Sequence, residues 1–211
     1  MENQEILKLK ELCEKNDISL SEEQLQLFDK YLSFYTKWNR VYNLSSIRKK
    51  EDVVYRHFFD SLTLVKLFEK INLDVEGKHF SDFGSGGGFP GVPLKIYYLD
   101  KIKLSLIEAV NKKCIFLEML RKELKIDYEV LCQRAETLNE KFDILVSRAT
   151  GETFEVLKIS KNLVKIGGYI IIMKAKKIEE ELKPFTISLK FKGYPERSFI
   201  VIRKENESKA K

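Results

Sequence analysis

The chain has 211 residues, 44% of them apolar and 33% charged, with 14 Phe, 9 Tyr and 4 Pro. That is enough for one full-sized core with a small appendage, and it excludes a disordered or collagen-like chain. The longest apolar stretch, Tyr169 to Met173, falls far short of the roughly 20 residues that span a bilayer, and the acidic opening Met1-Glu2-Asn3-Gln4-Glu5 is not a secretory n-region, so a cytoplasmic protein without membrane contact is expected. The 38 basic and 32 acidic residues leave a net charge of +6, too mild alone to establish a nucleic-acid partner.

In chain order, residues 1–70 read as a helical segment. Ser21-Glu22-Glu23-Gln24 fits a capping box, so a helix is expected to start there. Its apolar positions Leu25, Phe28, Tyr31, Leu32, Tyr35 and Trp38 recur every three or four residues, the spacing of one buried stripe. A polar break over residues 39–46 precedes a second helical stretch, from about Glu51 to Phe68. Between Lys37 and Arg56 six basic residues stand against two acids, interleaved with Trp38, Tyr42 and Tyr55. Cations neutralise phosphate and aromatic faces accept unstacked bases, so Arg40, Arg48, Lys49 and Lys50 are candidate RNA contacts. A solvated loop with its aromatics turned inward explains the same pattern.

After Gly77 the period changes, and β runs alternate with helical ones over residues 71–204. Strands are expected at Lys78 to Phe83, Lys103 to Glu108, Tyr128 to Cys132, Phe142 to Val146, Tyr169 to Met173 and Ser198 to Arg203. Helices are expected at Val92 to Leu99, Asn111 to Leu124, Glu152 to Leu163 and Ile178 to Leu182. The pattern implies a Rossmann-like, mostly parallel sheet covered on both faces, and the Gly193-Tyr194-Pro195 turn implies an antiparallel pair at the C-terminal edge. Residues 205–211 read as a disordered tail. The three cysteines, Cys13, Cys114 and Cys132, suggest neither a disulfide framework nor a zinc pattern, which points to a reducing compartment and no metal site. Cys114 and Cys132 are expected to be buried small hydrophobes.

The chemistry concentrates after the first strand, in Asp82-Phe83-Gly84-Ser85-Gly86-Gly87-Gly88-Phe89-Pro90-Gly91. Four of the ten glycines lie within five positions there, where a doubly wound fold binds nucleotide-like cofactors. Gly86-x-Gly88-x-x-Gly91 satisfies the dinucleotide fingerprint, and Gly84-x-Gly86 the looser pattern of S-adenosylmethionine sites. Glu108, at the end of the second strand, suits the ribose of either. Asp82 would face a cationic methionine but repel a pyrophosphate, and Pro90 and Pro93 remove amides that a pyrophosphate would use, which favours the methyl donor.

Together with Trp38-Asn39-x-x-x-Asn43-Leu44, His57-x-x-Asp60-Ser61, Gly88-Phe89-Pro90-Gly91-Val92-Pro93, Arg134-Ala135-Glu136 and Ser147-Arg148-Ala149, this loop resembles the bacterial 16S rRNA guanine-N7 methyltransferases, also called glucose-inhibited division protein B, over nearly the whole chain. One departure is Lys174-Ala175, where that family more usually shows Lys-Gly. The resemblance implies a class I S-adenosylmethionine-dependent methyltransferase fold. It also implies a cofactor site of Gly84, Phe89, Glu108, Ala135, Glu136 and Arg148, with Lys112, Arg134 and Arg148 as positioning cations and Lys174 as a further RNA contact. The implied substrate is one guanine of 16S rRNA, within the 30S subunit.

Guanine N7 has no proton to lose, so no general base is expected. His57 is expected to be structural, and Arg148 to face the cleft or to pair with Glu136. A nicotinamide-dependent oxidoreductase and an RNA-binding module with a vestigial cofactor loop remain the alternatives.

Overall fold

A computed structural model describes residues 3–148, 151–174 and 178–206. Helix α1 (Gln4–Glu14) is followed by α2 (Glu22–Tyr42), which starts at the expected capping box: Gln24 N donates to Ser21 Oγ at 3.2 Å and Ser21 N to Gln24 Oε1 at 2.7 Å. The stripe on α2 is buried from Leu25 to Tyr35, and Trp38 is half-buried. Asn43 ends the helix in the left-handed conformation. Buried Asn39 then shapes the following loop by donating to Ile47 O and accepting from Ser45 N. The second helical stretch is continuous but not uniform: α3 (Lys50–Val53) passes through a π-helical turn, Val54–Phe59, into α4 (Asp60–Lys70).

Strands β1 (His79–Phe83), β2 (Lys103–Ile107), β3 (Glu129–Leu131), β4 (Phe142–Arg148) and β5 (Val164–Lys174) are parallel, whereas β6 (Thr186–Phe191) and β7 (Tyr194–Arg203) form an antiparallel edge. The order is β3-β2-β1-β4-β5-β7-β6, so the chain reverses its direction of travel between β1 and β4. This is the class I methyltransferase sheet, and its switch point lies where the glycine loop leaves β1.

Helices α5 (Gly91–Tyr98), α6 (Asn111–Leu124) and α7 (Thr153–Leu163) make the crossovers. Alternating strand residues divide the interior. Ile144, Val146, Ile171 and Met173 face a large core shared with α1, α2, α4, α5 and α6. Leu145, Ile170 and Ile172 face a smaller one under α7.

Four expectations need correction. The stretch Ile178 to Leu182 is not an α-helix: Glu180–Phe185 forms a 3-10 turn containing Pro184, which cannot donate to a helical ladder. Strand β5 runs to eleven residues because β4 pairs with it from Val164 onward. Tyr194 and Pro195 belong to β7 rather than to the turn, which rests on Gly193 at φ +73°. Finally, Cys114 and Cys132 are joined in a disulfide with Cα atoms 5.7 Å apart, so neither is a free hydrophobe, the cysteines give no argument for a reducing compartment, and Cys132 lies exposed just past β3. A pairing across 18 residues has no signature in spacing alone. Residues 207–211 of the expected tail and Ala175 lie outside the described residues.

Candidate active site

The glycine loop is pinned to the end of β2, because Gly84 N and Ser85 N both donate to Ile107 O. Its glycines serve two purposes. A Cβ on Gly88 (φ +94°) would lie 2.7 Å from Tyr31 Oη, and one on Gly87 would lie 2.8 Å from the Tyr35 ring. These two positions are empty so that the loop can seat on α2, and Tyr31 Oη donates to Gly87 O at 2.6 Å. At Gly86 (φ +57°) a Cβ would meet nothing nearer than Gly84 O at 3.8 Å. That side of the loop is open.

Two carboxylates flank the opening. Glu108 accepts from Gly86 N and from Val110 N, both at 2.9 Å, and keeps lone pairs for a further donor. Lys113, not Lys112, stands near it, with Nζ 3.9 Å from Oε2; Lys112 is exposed. Asp82 is fully buried, and burial pushes its carboxyl up to about 7 against the pull of the Gly91 amide and of Arg148. Its Oδ2 accepts from Gly91 N at 2.8 Å, while its buried Oδ1 has no hydrogen-bond partner.

An orphaned anionic oxygen, an open glycine edge and a carboxylate with acceptor capacity to spare fit S-adenosylmethionine. A pyrophosphate fits poorly, because Gly91 N is taken by Asp82, Val92 N by Gly88 O, and Pro90 and Pro93 have no amide. Ala135 is buried and Glu136 exposed in the 3-10 turn Ala135–Thr137 after β3, and Arg134, just before the turn, is exposed.

Beyond the loop, at the ends of β4 and β5, lies a cleft of about 680 Å³ lined by Arg148, Arg197, Asp60, Ile172, Met173 and Lys174 among others. Arg148 divides it from the loop. Its guanidinium sits 5.3 Å over the Phe89 ring, and its donors reach Arg56 O (3.0 Å), Asp60 Oδ2 (3.2 Å) and His57 Nδ1 (2.9 Å). The partner of Arg148 is therefore Asp60, not Glu136. The Phe89 ring itself is buried between Tyr31 and His57, at 5.3 Å and 4.4 Å, so it supports the site from within the core.

His57 has a definite protonation state. Arginine can only donate, so His57 Nδ1 must be the acceptor, and its Nε2–H points to Ser45 Oγ at 3.3 Å. Burial, with Arg148 beside it, lowers its pKa to about 3, which keeps the ring neutral. His57 is thus structural in a specific sense: it holds Arg148.

Asp60 and Arg197 were not singled out from composition or spacing. The π-helical turn that buries His57 and leads into Asp60 has no signature in residue periodicity, and Arg197 comes from β7, the last strand of the chain. Lys174 lies inside the cleft, donating to Thr153 Oγ1 (2.6 Å) and Glu179 Oε1 (3.2 Å), and is not on the outer basic surface. Arg40, Arg48, Lys49 and Lys50 are exposed, and Trp38 and Tyr42, stacked at 5.4 Å, are half-buried. Among the described residues no group of three or more His, Cys, Asp or Glu is placed to hold a metal, and no helix is long and apolar enough to cross a membrane.

A family model described as rRNA small subunit methyltransferase G matches residues 24–209. The chain belongs to the rRNA small subunit methyltransferase G family. Ribosomal RNA small subunit methyltransferase G of Aquifex aeolicus is 49% identical over 197 residues, covering 93% of this chain and 99% of that one. The Carboxydothermus hydrogenoformans protein of the same name is 34% identical, covering 83% and 75%. Among solved structures, magnesium protoporphyrin IX methyltransferase from Synechocystis PCC 6803 with bound SAM superposes with a TM-score of 0.59 at 15% identity, over 88% of this chain and 99% of that chain. That likeness shows the fold alone. Family and fold together make this chain an S-adenosylmethionine-dependent methyltransferase.

Proposed function

We propose that this protein transfers a methyl group from S-adenosylmethionine to N7 of one guanine in 16S rRNA, acting in the cytoplasm on the 30S particle. The observation that carries this reading is the juxtaposition across Arg148. On one side stand the open glycine edge, Glu108 and Asp82; on the other, a cationic cleft large enough for a nucleotide. Bound S-adenosylmethionine would supply an electrophilic sulfonium methyl.

This chain's residues hold and orient. Glu108 would accept from the ribose hydroxyls and Asp82 Oδ1 would face the cationic end, with Ala135 and Glu136 beside the adenine. Guanine N7 presents an in-plane lone pair and carries no proton, so methylation there would require no proton to be removed. Positioning therefore replaces a general base. The neutral His57 keeps Arg148 in place between the two compartments. Arg40, Arg48, Lys49 and Lys50, with Arg134 and Lys112 nearer the cofactor, form the basic surface toward the RNA backbone.

The test is transfer of labelled methyl to small subunits from cells lacking the protein, followed by mapping of the modified atom. Arg148→Ala should reduce single-turnover methylation roughly a hundredfold, and His57→Gln roughly tenfold, at saturating cofactor. Label on an exocyclic amine, or full activity in Arg148→Ala, would sink the proposal. Stabilisation by NADPH but not by S-adenosylmethionine in thermal melts would revive the oxidoreductase alternative.

A further inference from the structure

The floor of the cleft holds a carboxylate on which two arginines and a tyrosine converge. Asp60 is 2% exposed. Arg197 grips it side-on, with Nε 2.6 Å from Oδ1 and Nη2 2.8 Å from Oδ2. Tyr194 Oη donates to Oδ1 at 3.0 Å and Arg148 Nη1 to Oδ2 at 3.2 Å. Three hydrogen-bond donors and the Nε ion-pair contact converge on one carboxylate, which fixes the Arg197 guanidinium in direction. Arg197 Nη1 is left without a hydrogen-bond partner among the described residues, in a cleft whose other walls include Val156, Ile172 and Met173.

A planar donor held rigidly against apolar walls suits a base edge better than a phosphate, which is usually met on an open rim. The purine edge that carries N7 differs between bases: guanine adds the acceptor O6, adenine the donor N6–H₂. Since N7 must keep its lone pair for the methyl group, a donor in this cleft can read only the neighbouring position. We propose that Arg197 donates to O6 of the target guanine and is the residue that rejects adenine, with Asp60 as its positioning residue. This rests on the guanine-N7 reading above.

The experiment uses small subunits reconstituted with either guanine or 2-aminopurine at the target. 2-Aminopurine keeps N7 and the 2-amino group and lacks O6. Single-turnover methylation by the unaltered protein should be slower on the 2-aminopurine particle by roughly tenfold to a hundredfold. Arg197→Gln should lose a similar factor on guanine and no further factor on 2-aminopurine, with an unchanged salt slope. Asp60→Asn should follow the same pattern.

Arg197→Lys keeps the charge, yet it should also lose the discrimination, because one ammonium cannot hold Asp60 and O6 in a single plane. It carries the test where Arg197→Gln fails to fold. Equal slowing on both particles by the Arg197 variants would overturn the proposal by making the residue a staple between α4 and β7. A flattened salt slope would overturn it by making Arg197 a phosphate contact. Failure of the unaltered protein to methylate the guanine particle would overturn the guanine-N7 reading, and this proposal with it.

Discussion

Asp82→Asn should make the cofactor-free protein more stable and the cofactor bind more weakly. The Asp82 carboxyl is fully buried, and burial raises its pKa from the ordinary 3.8 to about 7. The folded pKa lies above the unfolded one, so this group's contribution to stability is complete below pH 4 and is lost as the pH rises through 7. At pH 8 the loss amounts to about 4 kcal/mol, at 1.36 kcal/mol for each pH unit between the two pKa values. The amide removes that penalty. It keeps an oxygen for Gly91 N but accepts less strongly, and it leaves a polar atom where Oδ1 stands unpartnered, each at a cost on the order of 1 kcal/mol. The net gain is about 2 kcal/mol, or roughly 4–8 °C in Tm for a chain of this size.

Melting curves of both proteins from pH 5 to pH 8, with and without S-adenosylmethionine, measure it. The gap should close toward pH 5, where the unaltered carboxyl is already protonated. The unaltered protein should bind the cationic cofactor more tightly as the pH rises toward 7, and Asp82→Asn should lose that dependence. A variant less stable at pH 8, or a gap independent of pH, would refute the assignment of Asp82 as a desolvated anion waiting for a cation.

Gly86→Ala should weaken cofactor binding while costing about 1–2 kcal/mol in backbone strain. Gly88→Ala, whose Cβ would fall 2.7 Å from Tyr31 Oη, should destabilise the fold by more than about 3 kcal/mol; comparing each variant's Tm with its cofactor Kd separates the two. Charge reversal at Arg48, Lys49 and Lys50 should weaken rRNA binding and flatten its salt slope by up to about 3, with cofactor affinity unchanged in titration calorimetry. Reduction of the Cys114–Cys132 disulfide, which closes a loop over 18 residues, should cost about 3 kcal/mol, read as a lower Tm in dithiothreitol.

What could be read from the residues alone follows physical range. The capping box at Ser21, the α2 stripe and the strand–loop–helix at Asp82 are local patterns in which neighbours in sequence decide the outcome, and they stand where expected. All six expected strand runs fall on strands, β1 to β5 and β7, and differ from them only at the ends. The cleft was less legible because it joins the start of α4 at residue 60, just past a π-helical turn, to β7 at residue 197. Such contacts depend on sheet order, and no periodicity encodes them. The motif residues Asn39, Asn43 and His57 were visible as a pattern, but their work is to shape the 43–48 loop and hold Arg148, which only their partners reveal.

The seating of the glycine loop on α2 bears on how this chain can be cut and recombined. Gly87 and Gly88 lie against Tyr35 and Tyr31, and the Tyr31 hydroxyl holds the loop's backbone. A shortened chain, trimmed to the sheet and its crossover helices, would keep Asp82, Glu108 and the glycines and still lose the surface against which the loop is seated. A chimera that took its first seventy residues from a distant relative would have to bring that relative's loop with them, since aromatic ring and missing side chain were fitted to each other. The helices at the front of the chain and the glycine loop therefore form a single unit, though some fifty residues of sequence separate Tyr35 from Gly87.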